Sequence, residues 1–94
     1  MSAGDYSLYI VRCADGSLYT GIAIDIERRL REHENGARGA KYLRGKGPFK
    51  LEFSACLGDR SLASQAEYRV KRLDRERKEE LIAGHRLLSE LLAG

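Results

Sequence analysis

An Asp-Gly pair between two short apolar runs constrains this chain more than any other feature. Ser7-Leu8-Tyr9-Ile10-Val11-Arg12-Cys13 leads into Ala14-Asp15-Gly16-Ser17, and Leu18-Tyr19-Thr20-Gly21-Ile22 follows. β-Branched and aromatic residues favour a pleated backbone, and Asp-Gly supplies the positive φ that a tight hairpin turn needs. The segment therefore predicts two antiparallel strands carrying Tyr9 and Tyr19 on neighbouring backbones. Both positions are odd-numbered, which allows the phenols to share a face. Taken alone, the pair reads as ordinary sheet packing.

The remaining pattern completes a small domain. Ninety-four residues allow one modest core. A chain that is 43% hydrophobic and 33% charged is globular rather than disordered. Its apolar runs are too short for a bilayer and no signal-peptide pattern opens it, so no membrane association and a cytoplasmic location are expected. Asp25 caps a helix to about Glu34, stopped by Asn35-Gly36, with Ile26 and Leu30 as its buried stripe and His33 one step further. Phe49 to Cys56 alternates at period two and predicts a half-buried third strand.

Asp59 caps a second helix through Leu73 with a stripe of Leu62, Ala66, Val70 and Leu73, and Asp74 starts a third from Arg75 to about Ala83. After Gly84, residues 85–92 form a last amphipathic piece whose Leu87, Leu88, Leu91 and Leu92 pack on the domain or on a second copy. The fold class is α+β: a small three-stranded, mainly antiparallel sheet flanked by helices, in the order β-β-α-β-α-α. Cys13 and Cys56, with no CxxC motif or histidine cluster, are expected as buried, reduced thiols rather than a disulfide or zinc site.

Net charge is only +3, but basic residues gather at Arg28 to Arg31, Arg38 to Lys50 and Arg69 to Lys78. The glycine-rich stretch from Gly36 to Pro48 carries Arg38, Lys41, Arg44 and Lys46, a composition suited to backbone phosphates as well as to a solvated loop. Tyr42 within it reads as a core cap, with base stacking as the alternative. Arg29 and His33 stand one helical turn apart, just after Tyr19-Thr20-Gly21. Glu67 lies within the apolar series of the second helix, where a carboxylate needs a partner. A core histidine and a catalytic one are both open readings of His33. Arg29 is free to pair with Glu32 or Glu67.

Tyr9 in Ser7-Leu8-Tyr9, then Tyr19-Thr20-Gly21, Arg29, His33 and Glu67, in that order, resembles the GIY-YIG nuclease domain. The similarity covers roughly residues 6–82. It is strongest to the family's small, single-domain bacterial members, in which the strings Arg12 to Gly21 and Glu27 to Leu30 recur. The resemblance implies a nuclease domain over residues 1–84, a short extension over 85–94, and metal-dependent hydrolysis of DNA phosphodiester bonds in repair or recombination. By the same resemblance, Glu67 holds a single Mg²⁺ or Mn²⁺ and Arg29 contacts the scissile phosphate. Tyr9, Tyr19 and His33 then orient or deprotonate water, with the identity of the base left open.

Two departures stand out. Ser7-Leu8-Tyr9 replaces Gly-Ile-Tyr, and Arg77 to Leu81 lacks the Asn that many members carry beyond the metal Glu. No separate DNA-binding domain is present in these residues, so a protein partner supplying specificity is expected, and the oligomeric state is open. The rival readings are a non-catalytic nucleic-acid-binding module and a subunit active only in a complex.

Overall fold

β1 (Tyr6–Arg12) and β2 (Leu18–Ala23) form the expected hairpin in a computed structural model, which describes residues 4–35, 46–85 and 88–93. Its turn needs only one left-handed residue. Gly16 has φ 87°, its N–H donates to the Cys13 carbonyl at 2.9 Å, and the Cys13 N–H donates to the Ser17 carbonyl at 2.8 Å. This is a three-residue loop, a type I turn closed by glycine, in place of the two-residue form in which both central residues adopt positive φ. Asp15 Oδ1 fixes it by accepting from the Ser17 N–H and hydroxyl.

β3 (Lys50–Gly58) pairs antiparallel with the other side of β1, giving the order β2-β1-β3. The strict alternation read over Phe49 to Cys56 does not survive. Register shifts fall between Ile10 and Val11 and between Tyr6 and Ser7, leaving Glu52 and Leu57 as the extra residues of β3. A one-residue bulge transfers every following side chain to the opposite face. Phe53 therefore packs with Leu8 and Ile10, whereas Phe49 packs with Tyr9 and Val11. Leu51 is left 43% exposed. Cys13 is buried as expected; Cys56, also a free thiol, is exposed because it sits on the edge strand opposite Ser7.

The helices divide between the two faces. Asp25 Oδ1 accepts from the Arg28 N–H and starts α1 (Ile26–Asn35), which lays Ile26 and Leu30 over Tyr9, Val11 and Ala23. Asp59 and Asp74 likewise cap α2 (Arg60–Lys71) and α3 (Arg75–Ala83) through the N–H groups of Leu62 and Arg77. Gly84, with φ 82°, ends α3 in the left-handed conformation that glycine adopts most readily. Ala66, Val70 and Leu81 close the second core with Leu8 and Ile10.

α2 is two residues shorter than its apolar pattern suggests and is rotated about its axis. Ala63, Ala66 and Val70 are its buried residues, and Leu62 is 52% exposed. Two alanines let the helix approach the sheet closely, which points the larger Leu62 outward. α4 is confined to Leu88–Ala93, and its Leu88, Leu91 and Leu92 pack on the second core. Leu87 lies outside the described residues.

An ion-pair network ties the sheet to α3. Arg12 donates to both carboxylate oxygens of Glu79 at 2.9 and 2.7 Å and to Glu52 at 3.2 Å, while Arg75 also reaches Glu79. The Arg12 hydrogen bonds hold the Glu79 carboxyl down at about 2, against an ordinary 4.5. A depressed carboxylate pKa contributes stability that is present above the unfolded value and lost as pH falls through the folded one. The thermal midpoint of wild type should therefore exceed that of Glu79→Gln by a constant margin at pH 6–8, and the margin should shrink between about pH 4.5 and 2. A margin independent of pH across that window would contradict the network's role.

Candidate active site

Only Ile24 and Asp25 separate β2 from α1, so the helix folds directly back over the face carrying Tyr9, Val11, Tyr19 and Gly21. Tyr9 pairs across the ladder with Gly21, and Tyr19 with Val11, which places the two phenols diagonally on that one face. Their ring centroids lie 6.4 Å apart. Space for the Tyr9 ring comes from Gly21. A Cβ there would stand 2.5 Å from Tyr9 Oη and 2.6 Å from Cζ, and Gly21 is not among the glycines with positive φ. The glycine of the second motif is required by the neighbouring ring rather than by its own backbone.

α1 delivers His33 into the same space. Tyr9 and His33 are 1% and 3% exposed, and Tyr9 Oη shares a 3.0 Å hydrogen bond with His33 Nε2. The imidazole meets Tyr19 edge-on at 5.9 Å between centroids, and Phe49 covers it at 6.3 Å. His33 is thus a packed core histidine and a member of the polar cluster at once. Burial pushes the Tyr9 phenol up to about 12, reinforced by Tyr19 and Glu67 and opposed by Arg29, which hydrogen-bonds to it. Burial, then the Arg29 charge, lowers His33 below its ordinary 6.5, with Glu32 opposing. Both partners are therefore neutral at physiological pH.

The charged members sit around this pair. Arg29 lies one turn before His33 and donates from Nη1 to Glu32 Oε1 at 3.0 Å, so Glu32 rather than Glu67 is its carboxylate partner on the helix. Glu67 comes from α2, is a quarter exposed, and is close enough to raise the Tyr9 pKa through its charge. Lys71, one turn further along α2, places Nζ 3.4 Å from Glu67 Oε2 and 5.8 Å from the centre of the Tyr19 ring. Tyr9, Tyr19, Arg29, His33 and Glu67 are thereby brought to one locus. Glu32 joins them as one of the two partners expected for Arg29. Lys71 joins them unforeseen; its i+4 spacing from Glu67 was the available signal.

Among the described residues no cluster of three His, Cys, Asp or Glu side chains is arranged to enclose a metal ion. A cation beside Glu67 would take one protein carboxylate and fill its shell with water and phosphate oxygens, a donor set that suits Mg²⁺. Of the basic segment, Arg38, Lys41 and Arg44, with Tyr42, lie outside the described residues. Lys46 is fastened to the hairpin turn, its carbonyl accepting from the Ala14 N–H at 2.9 Å and its Nζ 3.4 Å from Asp15 Oδ2. Among the described residues, no helix is long and apolar enough to cross a membrane.

The chain is similar to proteins already known. The GIY-YIG catalytic domain matches residues 5–80. The UPF0213 protein YhbQ of Escherichia coli is 56% identical over 86 residues, covering 92% of this chain and 85% of that protein. Two solution NMR structures resemble it. UPF0213 protein BH0048 from Bacillus halodurans has a TM-score of 0.55 and 43% identity, covering 84% of this chain and 83% of that one. Protein EF2693 from E. faecalis has a TM-score of 0.60 and 36% identity, covering 86% and 85%. A match across four-fifths of the length, on a sheet bearing the two tyrosines and helices that bring arginine, histidine and glutamate to them, places this chain in the GIY-YIG family of nuclease domains.

Proposed function

We propose that residues 1–84 form a divalent-cation-dependent endonuclease that hydrolyses DNA phosphodiester bonds, acting on DNA structure or damage during repair or recombination in the cytoplasm. The observation that supports it most is the buried Tyr9–His33 hydrogen bond, with Arg29 and Glu67 both acting on the same phenol. A phenol raised to about 12 is a poor free base at neutral pH. It is well placed, however, to relay a proton: Tyr9 Oη takes one from the attacking water as its own passes to His33 Nε2. No free phenolate need accumulate.

Arg29 has the fork and permanent charge to bind two oxygens of the scissile phosphate. Tyr19, on the flank of the pair, orients the water. Glu67 would hold Mg²⁺ or Mn²⁺, which when bound stabilises negative charge on the phosphate and leaving oxygen. Arg38, Lys41, Arg44 and Lys46 supply sequence-independent contacts to the DNA backbone, and a protein partner adds specificity.

The direct test is incubation of purified protein with flapped, branched and linear DNA, with Mg²⁺ or Mn²⁺ and again with chelator. Cleavage should need the cation and should disappear in Glu67→Ala. Cleavage no greater than that of the Glu67→Ala control would refute the proposal for this chain. Salt-sensitive DNA binding in both proteins, without cleavage in either, would instead favour a binding module.

A further inference from the structure

We propose that Lys71 is a positioning residue that competes with the divalent cation for Glu67, so that the site loads metal only against its own ammonium group. This rests on reading Glu67 as the cation's ligand. The geometry is specific. Lys71 Nζ sits 3.4 Å from Glu67 Oε2, with the glutamate N-terminal to the lysine at i, i+4, the better orientation for such a pair on a helix. The Tyr19 ring lies beneath the same ammonium at 5.8 Å, a cation–π contact that draws it to the site side of α2 rather than out to solvent. Lys71 is half-exposed, so it packs no core and is free to leave.

A divalent ion bound to the Glu67 oxygen that Lys71 faces would have that ammonium as its neighbour, and like charges at such range repel even in a largely aqueous dielectric. Metal binding therefore has to displace Lys71 from the carboxylate. A lysine that merely steadied the Glu67 side chain would have the opposite effect, improving metal affinity. The sign of one measurement separates these roles.

The experiment is Mn²⁺ binding to the full chain, without DNA, followed by the relaxation of water protons, for wild type, Lys71→Gln, Lys71→Arg and Glu67→Gln. Lys71→Gln should bind Mn²⁺ about 3- to 10-fold more tightly, a gain of the size expected from removing one exposed competing charge. Lys71→Arg should stay close to wild type, because it keeps the cation. Glu67→Gln should lose most of the affinity. If Glu67→Gln loses affinity but Lys71→Gln is unchanged or weaker, the competition is refuted while Glu67 keeps its role. If Glu67→Gln binds like wild type, the assignment of the ion to Glu67 fails, and this inference falls with it. Thermal unfolding of each variant checks that all four proteins remain folded.

Discussion

Exchanging Tyr9 for phenylalanine should slow DNA cleavage by about 10²–10⁴-fold, the usual contribution of a positioned proton-transfer group. The ring itself would stay: its packing against Val11, Ala23 and the residues of α1 does not involve Oη. What goes is the 3.0 Å bond to His33 and the atom through which a proton passes. The stability cost should be about 1–3 kcal/mol, the range for taking the hydrogen-bond partner from a buried polar group such as the His33 ring. Single-turnover cleavage and urea unfolding of the same variant separate the two effects, and a rate within a few-fold of wild type would remove Tyr9 from the chemistry.

The same reading fixes a pH dependence. His33 is held below 6.5, so its proton-accepting form predominates at and above that pH, and the midpoint of any acid-side fall in rate should lie below it. Stability follows the same sign. The folded chain resists protonating His33, so the unfolded chain binds more protons, and stability declines as pH drops through 6.5 and below. An acid limb of the rate profile centred above 6.5 would exclude His33 as the acceptor.

Gly21→Ala should destabilise the protein by about 1–3 kcal/mol, the range for overpacking a closed site. The added methyl would meet Tyr9 Oη at 2.5 Å, Cζ at 2.6 Å and Cε2 at 3.0 Å. The ring cannot retreat easily, since it is fully buried and tied to His33 at its tip. Relief must come from parting β1 and β2 or from swinging the phenol off the imidazole, and the second path also disables the site. A double variant with Tyr9→Leu tests the cause. Removing the ring should make the alanine far less costly than in the Tyr9 background, a coupling that chemical denaturation of the four proteins can measure. Strictly additive costs would mean that the glycine serves something other than the ring.

Much of this was legible in the chain because its strongest signals are local. Asp15-Gly16 set the hairpin, and its odd-numbered tyrosines did come to share a face. Asp25, Asp59 and Asp74 each marked a helix start, since a cap depends only on residues two or three positions away. The order of Tyr9, Tyr19, Arg29, His33 and Glu67 pointed to one locus.

What stayed hidden depended on tertiary register. The bulge at Glu52 arises from how β3 meets β1, so the even alternation of Phe49, Leu51 and Phe53 suggested a shared face that these residues do not have. The exposure of Leu62 follows from the close approach of two small alanines in α2, and Cys56 is open because β3 is an edge. Lys71 was one member of the basic run from Arg69 to Lys78, and only the fold puts Tyr19 beneath it.

β1 is the middle strand, and its two faces serve different ends. Leu8 and Ile10 belong to the core under α2, α3 and α4, while Tyr9 and Val11 belong to the chamber under α1. Residue parity along seven positions thus separates two engineering problems. A designer seeking a hardier scaffold would work on the even positions and the helices behind them, sparing Glu67 and Lys71 of α2, which reach across to the site. One seeking a different chemistry would keep that half fixed and rebuild the odd one. A single strand carries the partition between durability and adaptability in this small domain.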